Sequence, residues 1–137
     1  MTDQPDLPTV EFAFPGPLRD RLVAAILDGS KTATSSTLVE YSVEDEALPV
    51  VGTRQAVVDS DDVPVAVIEI TAVEVLPLGA VGLQHALDEG EGHTTVAEWR
   101  AAHERYWHGE AMRAYLGDPD FTVDDETLVV LERFRLV

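Results

Sequence analysis

A single long β-branched segment constrains the fold of this chain more than any other feature. Pro64 to Leu76 reads PVAVIEITAVEVL, a composition rich in valine and isoleucine that predicts one long strand. Gln55 to Asp59 predicts a preceding strand, and Ser60 to Asp62 supplies a hairpin turn between the two. Thr127 to Val137 alternates apolar and polar residues and predicts a last strand. The chain is therefore expected to form a small antiparallel sheet or barrel.

Helical periodicity is found between and before these strands. Leu18 to Asp28 places its apolar residues on one helical face, and Leu78 to Glu89 predicts a second helix. A third helix is predicted from Thr94 or Thr95 to about residue 116, since Glu98 lies three residues after Thr95, the spacing of a capping box. Helices combined with antiparallel strands indicate the α+β class.

The length of 137 residues fits one domain, which we place at residues 12–137. Residues 1–11 contain two prolines and two aspartates and are expected to form a loose N-terminal tail. The N-terminus lacks the basic and apolar regions of a signal peptide, and no apolar run approaches the roughly 18 residues of a membrane span. We therefore expect a soluble, cytoplasmic protein with no membrane contact.

The charge balance narrows the classes of partner. Asp and Glu number 26 against 9 Lys and Arg, for a formal net charge of -17. This argues against a broad basic face that coats nucleic acid, because such binding depends on neutralising phosphates. A compact pocket inside an acidic surface is still compatible with this composition. The absence of cysteine excludes disulfides, thiolate metal sites and a thiol nucleophile.

The only lysine, Lys31, lies in the segment with the most chemistry, Asp28 to Ser36. The other eight basic residues are arginine, so Lys31 is either a chance remnant of codon bias or a site that needs an amine. Four hydroxyl residues follow it within five positions, as in an anion or base pocket, although an ordinary strand start has the same appearance. In a regular strand Lys31 and Thr34 would point to opposite faces, so they converge only if the backbone turns between them.

Two further clusters contain candidate functional residues. His85 and Glu89 have i,i+4 helical spacing, which suits an acid–base pair or two metal ligands as well as a solvated helix end. No recognised zinc spacing is present, and we predict neither a metal nor a cofactor. The second cluster is an aromatic stripe around Arg100 and His103. We expect one of its rings to pack in the core and another to border a cleft beside Arg100; the rings are Trp99, Tyr106 and Trp107.

These elements together resemble the ASCH domain family of the PUA-like superfamily, in its longer bacterial single-domain branch. The resemblance covers about residues 12–137 and depends on the order of four motifs around the long central strand. It departs from the family pattern at the turn before the first helix, which is Pro15-Gly16-Pro17 here. The motifs are Gly29-Ser-Lys31-Thr-Ala-Thr34, Ala86-Leu-Asp-Glu89-Gly-Glu-Gly92, Trp99-Arg100 with His103, and Phe134-Arg-Leu-Val137.

The resemblance implies a PUA-like small antiparallel β-barrel flanked by helices, with a cleft for a nucleobase. A short bacterial branch of the family, distinct from the longer branch that this chain resembles most, is an amidohydrolase that removes acetyl from acetylcytidine nucleosides. The resemblance implies that its catalytic residues correspond to Lys31, Thr34 and Glu89. The alternatives are an RNA-binding regulatory module and a metal-assisted ribonuclease that use the same cleft. The implied partner is a small modified nucleoside or a short RNA. A nearly neutral nucleoside is not repelled by an acidic surface, which favours the amidohydrolase.

In that hypothesis Lys31, Thr34 and Glu89 line one cleft. Thr34 is the nucleophile, and Lys31 acts as its base only if burial allows the ammonium to lose its proton near neutral pH. Otherwise Lys31 serves as an electrostatic anchor. Glu89 orients the leaving amine or passes a proton to it. The expected substrate-binding residues are Ser35 and Ser36, which help to hold the oxyanion, together with Trp99, Arg100 and His103.

Overall fold

The computed structural model describes residues 7–137, which form five strands, five α-helices and a short 3-10 turn at Leu78–Ala80. The strands are β1 (Thr9–Val10), β2 (Ala33–Thr37), β3 (Arg54–Val58), β4 (Pro64–Pro77) and β5 (Leu128–Leu136). The helices are α1 (Pro17–Asp28), α2 (Leu38–Val43), α3 (Leu83–Asp88), α4 (Val96–Trp107) and α5 (Glu110–Leu116). None of these helices is both long and apolar enough to cross a bilayer.

The strands form one sheet in the order β1-β3-β4-β5-β2. The long strand β4 is central, and β3 and β5 pair with it in antiparallel orientation. β1 is parallel to β3, and β2 is antiparallel to β5. The α+β class is confirmed. The sheet curves in the manner of a barrel but is not closed, because within residues 7–137 the outer strands β1 and β2 do not pair.

The two faces of the sheet pack against different helices. Alternation along β5 sends Leu131 to one face and Phe134 to the other. The Leu131 face packs against the later helices, with core residues Leu78, Trp99, Trp107, Met112 and Val129. The Phe134 face packs against α1, with core residues Phe12, Val23, Ile26, Ile68 and Ile70. Because β2 is an edge strand, its side chains project alternately towards the two sides of the sheet, each of which has its own core cluster.

The helices differ from the sequence-based predictions in three ways. The predicted helix at 78–89 begins with the 3-10 turn, and α3 starts only after Gly82. The predicted long helix does begin at Thr95, whose Oγ1 accepts the Glu98 N–H at 3.1 Å. It is interrupted at Gly109, whose extended backbone (ψ 157°) ends α4 and caps α5. Residues 38–43, which were not predicted to be helical, form α2.

The signal for α2 was present in the sequence. Thr37 and Glu40 form a reciprocal capping box, in which the Glu40 carboxylate accepts the Thr37 N–H at 2.7 Å and the Thr37 hydroxyl at 2.8 Å. At the N-terminus, residues 1–6 of the predicted loose tail lie outside the described residues. Thr9–Val10, also within that predicted tail, pairs with β3.

Candidate functional site

The loop between α1 and β2 is held against the end of α3. Lys31 N–H donates to the Ala25 carbonyl at the end of α1 (3.1 Å), and Thr32 N–H donates to the Asp88 carbonyl (2.9 Å). Gly90 makes the close approach possible, since a Cβ there would lie 2.3 Å from the carbonyl oxygen of Ser30 and its φ of 70° is left-handed. This contact joins two segments that are distant in the sequence.

Lys31 is buried in that contact, with 2% of its surface exposed. Its Nζ donates to the backbone carbonyls of Ala33 at 2.9 Å and Glu89 at 3.3 Å. It also lies 3.4 Å from Oε2 of Glu91 and 3.8 Å from Oε1 of Glu89. Every one of these neighbours is a hydrogen-bond acceptor. Such surroundings suit a protonated amine, which has three donors and no acceptor.

Glu89 is 1% exposed and is surrounded by donors. Its Oε2 accepts the Ser35 hydroxyl at 2.7 Å and lies 2.9 Å from Nε2 of His85, while Oε1 lies 3.1 Å from Nε2 of His103. Burial would raise the pKa of Glu89, but the hydrogen bonds from His103 and His85 and the charge of Lys31 outweigh it, so the pKa is held well below its usual range. Glu89 is therefore a carboxylate at neutral pH.

The contacts of His103 favour a second positive charge in this network. Its Nδ1 donates to the Trp99 carbonyl at 2.8 Å, so its Nε2 must also carry a hydrogen if it is to donate to Glu89. Burial lowers the pKa of His103, but the bond with Glu89 and the charges of Glu89 and Glu91 more than reverse this, and the pKa is raised. The Trp99 ring stacks on the imidazole with centroids 4.3 Å apart, which favours the imidazolium through a cation–π contact.

The same cluster has the residue types of a metal site. Glu89, Glu91 and His103 offer ligand atoms that lie within 4.8 Å of one another. The Lys31 ammonium already lies against both carboxylates, and His103 Nε2 donates rather than presenting a lone pair. In this arrangement the Lys31 ammonium and the His103 imidazolium neutralise the carboxylates. The three residues therefore fit a divalent cation only after Lys31 and His103 have lost a proton.

A cleft of about 1060 Å³ runs along β2 and exposes parts of both sheet faces. Lys31, Thr34 and Glu89 all border it, as do Ser35, Ser36 and His103. The alternation expected for a strand is retained. Ser35 points towards Glu89, whereas Thr34 lies on the other face, directly opposite Glu132 in the β2–β5 register. No hydrogen bond joins Lys31 to Thr34 within the described residues.

Glu132 and Tyr41 are two cleft residues that the sequence analysis did not identify. The Tyr41 hydroxyl donates to Oε2 of Glu132 at 2.9 Å, and Glu132 is only 6% exposed. The sequence did carry a signal for Glu132, which is the single acidic residue between the apolar residues Val129–Leu131 and Phe134. A buried carboxyl in such a strand is unusual and favours a functional role.

Two of the predicted binding residues lie away from the cleft. Trp99 is fully buried in the core beneath His103. Arg100 points away from β2, because its guanidinium pairs with Glu104 at 3.0 Å and Asp125 at 2.8 Å. The ring that does border the cleft and remains partly exposed is Tyr106, which packs against Phe14 with centroids 5.9 Å apart.

The sequence matches the family model described as "ASCH domain" over residues 11–137. An ASCH domain from Lactobacillus crispatus is 30% identical, with a TM-score of 0.80 over 95% of this chain and 79% of that chain. A crystal structure of a protein from Enterococcus faecalis is 29% identical, with a TM-score of 0.82 over 98% of this chain and 78% of that chain.

A tyrosine-to-phenylalanine variant of an ASCH protein from Zymomonas mobilis is only 12% identical, with a TM-score of 0.52 over 85% of this chain and 63% of that chain, and it supports the fold alone. None of the curated proteins with which the sequence was compared matches it. The match over residues 11–137 and the two more similar structures agree with the resemblance noted in the sequence, and the chain belongs to the ASCH domain family.

Proposed function

We propose that this protein hydrolyses the acyl amide on the exocyclic amine of a small modified nucleoside of the acetylcytidine type. The observation that carries the proposal is the row of hydroxyls at Thr34, Ser35 and Ser36, which lies in one cleft between two buried carboxyl networks. A hydroxyl nucleophile needs nearby groups that accept its proton and stabilise developing charge. Both kinds of group border this cleft.

The cleft is suited to a ligand of nucleoside size. Its volume of about 1060 Å³ lies near the upper end of small-molecule pockets. Phe14, Tyr106 and Tyr115 form an aromatic group along it, with neighbouring ring centroids 5.9 and 6.0 Å apart. Aromatic faces of this kind bind nucleobases by stacking. The aromatic end would hold the base or ribose while the hydroxyl row faces the acyl group.

The hydroxyls have different roles in this proposal. Thr34 is the nucleophile, because it is half-buried at the cleft and its hydroxyl makes no hydrogen bond within residues 7–137. Ser35 already donates to Glu89 at 2.7 Å, so it positions that carboxylate rather than the substrate. Ser36 has the same strand parity as Thr34 and is the hydroxyl available to hold the oxyanion.

Lys31 and Glu89 support the site from below in the same proposal. Both side chains are 1% exposed, so neither offers a free face to a ligand in this conformation. Lys31 keeps the loop before β2 in place and supplies a fixed positive charge beneath the cleft. Glu89 orients Lys31, Ser35 and His103. The predicted role of Lys31 as the base is less well supported than its role as an ammonium anchor, because all its neighbours are acceptors.

Electrostatics favours a nucleoside over a polynucleotide. The net charge of -17 repels a polyanion, whereas an acylated nucleoside is nearly neutral. The two alternatives, an RNA-binding module and a ribonuclease, predict RNA binding that weakens steeply as the salt concentration rises. A metal-assisted ribonuclease would in addition require a divalent cation to displace the Lys31 ammonium from Glu89 and Glu91.

The decisive assay follows release of cytidine from acetylcytidine by chromatography, with and without EDTA. We expect turnover in the wild type that EDTA does not abolish, and loss of turnover in Thr34→Ala. Thr71→Ala is the matched control, since Thr71 is an exposed threonine on β4. Absence of turnover on a panel of acylated nucleosides would contradict the proposal. Cleavage of RNA that depends on a divalent metal would replace it with the ribonuclease alternative.

A further inference from the structure

The carboxyl group nearest to Thr34 in the sheet is Glu132, not Glu89. Thr34 and Glu132 are directly opposite in the antiparallel β2–β5 pair. Side chains at such positions share one face, with Cβ atoms about 4.5–5.5 Å apart. Glu89 is reached instead by the Ser35 hydroxyl, whose strand parity is opposite to that of Thr34. The proposed nucleophile therefore faces a different carboxyl from the one that the family resemblance indicates.

Glu132 also has a free oxygen. Tyr41 donates to Oε2, and no other side chain within residues 7–137 hydrogen-bonds the carboxyl. Both Glu132 and Tyr41 border the cleft. Glu89, in contrast, has both oxygens engaged by Ser35, His85 and His103. Of these two carboxyls, only Glu132 can receive a proton from a neighbouring hydroxyl without breaking an existing bond.

The two carboxyls differ in proton affinity as well. Burial, and to a smaller extent the charge of Glu46, raise the pKa of Glu132. The hydrogen bond from Tyr41 and the charge of Lys31 lower it by less, so the pKa is raised overall. These are the titratable groups that act on Glu132 from α2, the loop after it and the loop before β2; the opposing β4 residue is Val73. A proton carrier works best when its pKa approaches the working pH, whereas Glu89 is held far below it.

We propose that Glu132 is the general base and acid of the site, which takes the Thr34 proton and delivers it to the leaving amine. This inference rests on the proposed amide hydrolysis. The Thr34 Oγ attacks the acyl carbon while the Glu132 carboxylate accepts its proton. The C–N bond then breaks, the proton passes from Glu132 to the amine nitrogen, and an acyl ester remains on Thr34. Water attacks the ester, its proton goes to Glu132, and that proton returns to Oγ as the carboxylic acid leaves.

The direct test is Glu132→Gln, with Glu74→Gln as the control because Glu74 is an exposed carboxyl on the adjacent strand β4. Loss of a general acid–base group is expected to lower kcat by about 10²–10⁴-fold, with little change in KM. The acidic limb of the pH profile should disappear with it. In Glu132→Ala, added formate should restore part of the rate, since a small carboxylate can occupy the space that the side chain leaves.

A second variant keeps the proposal testable if Glu132→Gln does not fold. Tyr41→Phe removes the hydrogen bond that lowers the pKa of Glu132. The base then stays protonated to higher pH, so the acidic limb of kcat/KM should move to higher pH. A folded Glu132→Gln enzyme that retains kcat within about threefold of the wild type would overturn the proposal. Inactivity of the wild type on every acylated nucleoside would instead overturn the proposed function on which it rests.

Discussion

Glu89→Gln is expected to destabilise the protein strongly even though the side chain keeps its shape. The amide can still accept a hydrogen bond from His103, and Ser35 can rotate its hydroxyl to meet the new NH₂ group. The variant cannot supply the negative charge that Lys31 and His103 face at 3.8 and 3.1 Å. Removing one member of a buried ion pair costs about 3–5 kcal/mol, because the remaining charge is left uncompensated.

Two features of the structure place the expected loss near the lower end of that range. Oε2 of Glu91 remains 3.4 Å from the Lys31 Nζ, and His103 can release its proton. A loss of about 3 kcal/mol corresponds to a fall in Tm of about 10 °C, since unfolding 137 residues involves an entropy of about 0.29 kcal/mol/K. Calorimetry or urea unfolding at neutral pH measures this directly.

A double-mutant cycle identifies the cause. If the lone ammonium is responsible, Lys31→Met combined with Glu89→Gln should lose at least about 1 kcal/mol less than the two single losses together. Glu74→Gln removes an exposed carboxylate and should stay within about 0.5 kcal/mol of the wild type. If Glu89→Gln is no more destabilising than Glu74→Gln, the reasoning about the buried network is refuted.

Three further predictions concern the same region. The pKa of His103 is raised in the folded state, so its contribution to stability is complete below its usual pKa of 6.5 and is lost as the pH rises through the folded pKa. The urea concentration at the unfolding midpoint should therefore decrease as the pH is raised from 6.5 in the wild type, and should change less with pH in His103→Gln. Equal slopes in the two proteins would contradict this. Gly90→Ala should lose more than about 2 kcal/mol, since its Cβ would meet Ser30 at 2.3 Å, whereas Gly92→Ala pays only the cost of its φ of 88°, about 1–2 kcal/mol. Thermal unfolding compares the pair, and equal Tm values would exclude the steric explanation. Lys31→Arg keeps the charge but adds bulk to a buried site, so we expect the free energy of unfolding to fall by about 1–3 kcal/mol. Some deacetylation activity should remain, and complete inactivity of a folded variant would support Lys31 as the base.

Strands β3, β4 and β5 and the first helix were predictable because their signals are local, whereas β1 lies in the predicted loose tail. The β-branched run at 64–76 and the alternation at 127–137 correspond to β4 and β5, each to within a few residues. The break between α4 and α5 was missed because one extended glycine, Gly109, has no distinct signal inside an otherwise helical pattern. The capping box at Thr37 and Glu40 shows that α2 had a local signal as well.

The site was predictable only in part, because it depends on contacts between distant segments. No periodicity brings Lys31 and Glu89 together; the family resemblance indicated a shared cleft, and the structure shows both residues bordering it. The positions of Trp99 and Arg100 depend on which way α4 faces, and the sequence did not distinguish the core side from the cleft side. Glu132 is the single acidic residue in an otherwise apolar row of β5, and its hydrogen-bond partner Tyr41 belongs to α2, a helix that was not predicted from the sequence.

Because Thr34 and Ser35 point to opposite faces of the sheet, the length of the loop before β2 determines which hydroxyl lies beside which carboxyl. Each of the two neighbouring hydroxyls serves its own carboxyl, Thr34 facing Glu132 and Ser35 bound to Glu89. A deletion or insertion of one residue between Gly29 and Ala33 that shifted β2 by one position against β5 would exchange the two hydroxyls between the faces. Under the proposed mechanism, a relative in which β2 is shifted by one residue would need its nucleophile at the neighbouring position.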